Sequence, residues 1–130
     1  MGNSLEWDMK MHPTYLWTLP MFHCNGWCFP WTIAMRAGTN ICLRKVTGEN
    51  IYDKIFSHGV DYLCGAPTVL SFIINTDPVH VKKLDRRVKL MTAAAPPPAK
   101  ILEQIEKCGF DVTHVYGLTE VYGPAVICKW

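Results

Sequence analysis

Short apolar runs alternate along this chain with longer segments whose apolar residues recur at helical spacing. The continuously apolar runs predict buried strands at residues 14–19, 40–43, 61–64, 88–92 and 112–115. The helically spaced segments between them predict helices at residues 27–36, 49–58, 68–75 and 99–108. A last apolar piece, residues 125–130, predicts one more short strand. This β-α-β-α-β-α-β-α-β order predicts an α/β fold with a largely parallel sheet and crossover helices.

Proline and glycine mark the ends of several of these elements. Pro20 follows the first strand and stops it, because proline cannot donate a ladder hydrogen bond. Gly38 and Gly59 follow the first two helices, where glycine commonly forms the C-terminal cap. Pro67 stands where the third helix should begin, a position that suits proline. The segments are therefore bounded by turn signals as well as by periodicity.

Composition indicates one domain's worth of folded chain and gives no sign of a nucleic-acid partner or of a membrane-spanning segment. Of the 130 residues, 49% are apolar, which is enough for a real core. The net charge of +2 is too small to indicate binding to nucleic acid. The longest apolar run, residues 27–35, is shorter than the roughly 20 residues that a membrane-spanning helix needs. We therefore expect no nucleic-acid partner and no transmembrane segment.

The six cysteines lie within apolar segments of a chain that shows no signal peptide. We expect them to be small buried side chains rather than a disulfide framework. His23, Cys24 and Cys28 could instead bind zinc, but no second cysteine cluster accompanies them at the spacing of zinc sites.

Three unusual segments follow predicted strands. They are residues 20–27 (PMFHCNGW), residues 92–96 (TAAAP) and residues 116–120 (YGLTE). The carboxyl ends of parallel strands meet at one edge of a sheet, and ligands of α/β proteins bind there. We therefore expect these three loops to lie close together and to form a ligand site.

The third loop offers groups that suit a nucleotide. Gly117 would let the backbone approach a ligand closely, and Thr119 offers a hydroxyl for a phosphate oxygen. Glu120 supplies a carboxylate oxygen of the kind that Mg²⁺ prefers, and Tyr116 offers an aromatic face for stacking. Alone, this five-residue string is common and therefore weak support.

The other two loops each allow two interpretations. The small residues Ala93 to Ala95 with rigid Pro96 could lie flat along a purine, or could simply be a stiff connector. His23, beside Phe22 and Trp27, could face a ligand or could be a core histidine bonded to backbone.

Taken together and in that order, the three loops resemble the large domain of adenylate-forming acyl-activating enzymes, the acyl-CoA synthetase and ligase family. The resemblance is strongest to the plant-type branch, and it extends over most positions from Tyr15 to Thr119. It implies that a small carboxylic acid is activated with ATP to an acyl-adenylate and transferred to coenzyme A, with Mg²⁺ as the metal.

The same resemblance implies a role for each loop residue. The nucleotide-binding residues would be Ala93, Ala94, Ala95, Pro96, Tyr116, Gly117 and Thr119. The acyl pocket would be formed by His23, Asn25 and Val115. The catalytic residues would be His23, Thr119 and Glu120, and Glu120 would also hold the metal.

Two positions depart from the family pattern. The family usually has glycine where Val115 stands, and one of Ala93 and Ala94 is commonly glycine as well. A valine side chain at the pocket wall should shorten the acyl cavity, so we expect a different choice of acid.

Parts of the family's machinery have no counterpart in this sequence. Residues 1–13 contain no Ser/Thr/Gly-rich phosphate loop with a lysine, and the small C-terminal domain with its catalytic lysine would follow Trp130. We therefore expect residues 1–130 to be a partial AMP-binding (adenylation) domain that is inactive alone and that self-associates through its exposed edges. The alternative is a non-catalytic truncated module with weak adenine-nucleotide binding or a partner-association role. Family members are cytoplasmic or peroxisomal, and this chain shows no targeting signal.

Overall fold

A six-stranded sheet forms the centre of the molecule in the computed structural model, which describes residues 2–128. Its strands are β1 (Thr14–Trp17), β2 (Thr39–Cys42), β3 (Tyr62–Gly65), β4 (Val88–Thr92), β5 (Phe110–Leu118) and β6 (Gly123–Cys128). They lie in the order β2-β1-β3-β4-β5-β6, and every neighbouring pair is parallel except β5 and β6. The predicted α/β fold with a largely parallel sheet is therefore confirmed.

Helices cover both faces of this sheet. They are α1 (Gly2–Glu6), α2 (Cys24–Trp27), α3 (Phe29–Met35), α4 (Gly48–His58), α5 (Pro67–Ile74) and α6 (Ala99–Lys107). A short 3₁₀ helix, Thr119–Val121, joins β5 to β6. The predicted helix boundaries at Gly59 and Pro67 are confirmed, since Gly59 caps α4 with a φ of 64° and Pro67 begins α5.

Two apolar cores lie on opposite faces of the sheet. Helices α4, α5 and α6 pack over the fully buried leucines of three parallel strands, Leu16, Leu63 and Leu90. The second core is largely aromatic: the Tyr15 ring stacks on Phe29 of α3 with 5.1 Å between ring centroids. Alternate residues of the same strands enter each core, as the two-residue period of a strand requires.

Strand β2 corrects one prediction. The sequence indicated a buried strand at residues 40–43, but Thr39, Asn40 and Cys42 are exposed, and Ile41 and Leu43 are only partly buried. The reason is sheet order, because β2 lies at the edge and pairs with β1 alone. The prediction that the cysteines are buried is wrong for Cys42, which lies on this edge strand and is exposed. Of the other five cysteines, Cys64 is fully buried and four are partly buried.

Strand β5 corrects a second prediction. The sequence placed the change from strand to turn at Tyr116, but β5 continues to Leu118. It continues because β6 folds back beside it, with Tyr116 opposite Val126. The predicted last strand corresponds to β6, and its residues 129–130 lie outside the described part of the chain. Within residues 2–128, no helix is long and apolar enough to cross a membrane.

Candidate functional site

A cavity of about 260 Å³ lies at the carboxyl edge of the sheet. The loops after β1, β4 and β5 surround it, as the parallel topology predicts. Its lining consists of His23, Cys24, Trp27, Ala93, Ala94, Val115, Gly117, Leu118, Thr119, Glu120, Gly123 and Pro124. The structure therefore brings together seven of the predicted site residues: His23, Ala93, Ala94, Val115, Gly117, Thr119 and Glu120.

The first loop makes a tight turn that brings His23 to the cavity. Cys24, Asn25 and Gly26 follow it with left-handed φ angles of 44°, 42° and 57°. Gly26 lies directly on the ring of Trp17, where a Cβ atom would approach a ring carbon to 2.7 Å. His23 itself is exposed, so the alternative of a core histidine is wrong.

The second loop turns sharply after β4. Ala94 has a φ of 81°, in the left-handed region that favours glycine. This turn leaves Ala93 and Ala94 in the cavity lining, whereas Ala95 and Pro96 are exposed and lie outside it. At the end of β4, the buried hydroxyl of Thr92 has no hydrogen-bond partner among the described residues.

The third loop divides between the two faces of the sheet. Val115 is 1% exposed and lines the cavity, as does Gly117 two residues later. Tyr116 lies between them, so its side chain points to the opposite face, where it is 55% exposed. Thr119 and Glu120 follow in the 3₁₀ helix, and both are exposed at the cavity rim.

Asn25 is the remaining predicted residue that does not line the cavity. Its amide Nδ2 donates a hydrogen bond to the hydroxyl of Tyr122, at 3.0 Å. Several lining residues were not predicted from the sequence, among them Trp27, Gly123 and Pro124. The last two enter because β6 returns beside β5, and no local pattern in the sequence indicates that return.

The cavity combines mainly apolar walls with a few polar groups at its rim. His23, Thr119 and Glu120 provide the imidazole, the hydroxyl and the carboxylate, and within residues 2–128 no lysine or arginine lines the cavity. Nearby, burial and the neighbouring Cys24 raise the pKa of the Cys28 thiol. Residues 2–128 contain no group of three or more His, Cys, Asp or Glu side chains that could hold a metal ion, so the zinc alternative gains no support.

Comparisons with known proteins agree on one family. The family model described as AMP-binding enzyme matches residues 1–130. The chain is 47% identical to the peroxisomal acetate/butyrate–CoA ligase of Arabidopsis thaliana, over 100% of this chain and 23% of that protein. It is 51% identical to the 2-methylpropanoate–CoA ligase of Humulus lupulus, over 97% of this chain and 22% of that protein.

The fold also matches a solved enzyme. The O-succinylbenzoate coenzyme A synthetase of Bacillus subtilis, solved in complex with ATP and a magnesium ion, superposes with a TM-score of 0.81 at 20% identity. That match covers 98% of this chain and 26% of the solved chain. The chain thus spans 22–23% of the length of the two plant ligases. The match over its whole length shows that this chain belongs to the AMP-binding enzyme family of adenylate-forming acyl-CoA ligases.

Proposed function

We propose that this chain forms the surface on which an acyl-CoA ligase joins a small carboxylic acid to the α-phosphate of ATP. The observation that carries this proposal is the meeting of His23 with Thr119 and Glu120 around one apolar cavity. These residues come from loops almost 100 positions apart, and the sheet brings those loops to the same edge.

The acid would occupy the cavity, with its alkyl part between Trp27, Ala93 and Val115. Its carboxylate would lie at the rim, near His23 and Thr119. Val115 narrows this space, because an isopropyl group stands where the family usually has glycine. A cavity of about 260 Å³ suits a small acid, in agreement with the acetate, butyrate and 2-methylpropanoate in the names of the two relatives.

The nucleotide would lie beside the cavity rather than in it. Tyr116 presents its exposed ring on the opposite face of β5, and the exposed Ala95 and Pro96 belong to the neighbouring loop. Adenine would stack against this tyrosine, and the phosphates would cross to Thr119 at the rim. Asn25 does not line the cavity, so it would support the acyl pocket indirectly, by holding the first loop in place.

Glu120 fits a supporting role toward Mg²⁺. Mg²⁺ usually binds one or two protein carboxylates together with substrate phosphates and waters, and Glu120 is an exposed carboxylate next to Thr119. When bound, the metal would neutralise charge that develops on the phosphoryl group. Transfer of the acyl group to coenzyme A is the second step that the family membership implies.

Calorimetric titration with AMP tests the nucleotide surface. We expect binding by the wild-type chain and weaker binding by Tyr116→Ala and Thr119→Ala, since these remove a stacking face and a phosphate contact. Thr68→Ala, an exposed change in α5, is the control and should bind like wild type. Absence of heat with millimolar AMP would contradict the proposal that the chain binds nucleotide alone.

Turnover is a separate question, and we propose that the 130-residue chain alone does not catalyse the reaction. The cavity lining in the described part of the chain has no lysine or arginine to stabilise the transferring phosphoryl group. Acid-dependent exchange of labelled pyrophosphate into ATP should therefore stay at background. Exchange above background would show that the chain is a complete adenylating unit.

A further inference from the structure

Two walls of the cavity are formed by the first loop, which carries His23, and by the third loop, which carries Thr119 and Glu120. Tyr122 links these two walls from a position outside the cavity lining. Its hydroxyl oxygen accepts hydrogen bonds from Asn25 Nδ2 at 3.0 Å and from Trp31 Nε1 at 2.8 Å. Its backbone carbonyl accepts a third, from the Cys28 thiol at 2.9 Å. A single residue just after the third loop thus receives three hydrogen bonds: one from Asn25 within the first loop, and two from Cys28 and Trp31, which follow that loop.

The bonded segments are the ones that carry the predicted catalytic residues. Asn25 stands two residues after His23, and Tyr122 stands two residues after Glu120. Tyr122 has a left-handed φ of 53° and directs the chain from the 3₁₀ helix into β6. The next residue, Gly123, lies so close to Cys28 that an added Cβ would be 2.7 Å from its Sγ atom.

We propose that Tyr122 is a positioning residue that holds His23 against Thr119 and Glu120. The two walls belong to different strands, and β3 and β4 separate β1 from β5 in the sheet. A direct link between such loops helps to keep reacting groups aligned, and small misplacements reduce reaction rates strongly. This role rests on the proposed function, since it concerns the acid and phosphate groups that would meet between the walls.

The test compares two ligands in Tyr122→Phe, which keeps the ring and removes the hydroxyl. On the proposed function, AMP would contact only the third-loop side of the cavity, whereas a non-hydrolysable butyryl-sulfamoyl adenosine would contact both the third-loop side and the His23 side. We expect the variant to bind the two-sided analogue about fivefold to tenfold more weakly and AMP within about twofold of wild type. General destabilisation would lower both affinities alike. A change in the ratio of the two affinities therefore reports a loss of positioning and not a loss of stability.

Tyr62→Phe is the matched control. Its hydroxyl also takes part in two hydrogen bonds, donating to the Asp8 carbonyl at 3.2 Å and accepting from the Lys10 N–H at 3.1 Å. These lie at the start of β3, at the opposite end of the sheet, so the affinity ratio should not change. Trp31→Phe should shift the ratio in the same direction as Tyr122→Phe, and adding it to Tyr122→Phe should change little more. If Tyr122→Phe does not fold, Trp31→Phe decides.

A second readout does not depend on ligand binding. Site-resolved alkylation measures the labelling rate of Cys28, whose thiol donates to Tyr122, against the exposed Cys42 on β2. We expect this relative rate to rise about fivefold in Tyr122→Phe, because the link no longer holds the two segments together. If wild type binds neither ligand, the proposed function of the isolated chain is wrong, and the Cys28 labelling rate alone tests the positioning role of Tyr122. Two results would overturn the proposal. One is an unchanged affinity ratio in a folded variant that binds. The other is an unchanged Cys28 labelling rate, in the case where wild type does not bind.

Discussion

Ala94 holds a backbone conformation that an alanine rarely adopts. Its φ of 81° lies in the left-handed region, which costs an L-residue about 1–2 kcal/mol. We predict that Ala94→Gly raises the free energy of unfolding by about 0.5–1 kcal/mol, because this relief exceeds the extra entropy that glycine gives the unfolded chain. Urea unfolding measures the change.

Ala95→Gly is the control for that substitution, because Ala95 is not among the residues with positive φ. Here glycine relieves no strain, and its entropy should lower the free energy of unfolding by about 0.4–1 kcal/mol. Opposite signs at adjacent alanines would confirm the strain at Ala94, and equal losses would contradict it. Equal losses would mean that alanine carries no energetic penalty in the second loop, although the family commonly has glycine there.

The hairpin of β5 and β6 depends on Gly117. A Cβ atom at this position would lie 2.4 Å from the Gly123 carbonyl oxygen, beside an irregularity in the pairing. We predict that Gly117→Ala lowers the free energy of unfolding by about 1–3 kcal/mol, because the two backbones must separate. Thermal or urea unfolding measures this change. Gly2→Ala should have little effect, because an added Cβ there would meet no atom of the described residues outside its chain neighbours within 4 Å. Equal stability of both variants would show that the hairpin adapts freely.

The elements also show which parts of the fold the sequence can predict. Helix α4 and strand β4 match their predicted ranges closely, because their end signals lie within a few residues. Burial of β2 was not predictable, since it depends on the position of a strand in the sheet order. The same limit applies to the site: parallel topology predicts which loops meet, but the contribution of Tyr122 requires the return of β6.

At the scale of the whole molecule, apolar groups remain exposed near the site and along one edge. Phe22 is 87% exposed, Trp31 63% and Val126 on β6 54%. Edge strands and exposed apolar patches favour association. We predict concentration-dependent oligomers of the isolated chain in sedimentation velocity, and fewer of them with Val126→Lys. A single 14.8 kDa species at every concentration would contradict this.

Buried phenol and thiol groups determine how the whole molecule responds to alkaline pH. Burial raises the pKa of Tyr15, Tyr52 and Cys64 above their ordinary values. The unfolded chain therefore releases these protons at lower pH than the folded chain, at about 8.5 for cysteine and about 10 for tyrosine. Their contribution to stability is complete below those values and is lost as pH rises toward the folded pKa values.

We therefore predict that the free energy of unfolding falls above about pH 9, by up to about 1.4 kcal/mol per pH unit for each group. Tyr15→Phe should flatten the fall above about pH 10, because one ionisable group is gone. This substitution should cost little at neutral pH. In the described part of the chain, the buried Tyr15 hydroxyl has no hydrogen-bond partner of good geometry, although the Cys64 thiol lies beside it. Urea unfolding between pH 7 and about pH 11 measures both effects. An unchanged slope in Tyr15→Phe would mean that Tyr15 becomes accessible to water before the molecule unfolds.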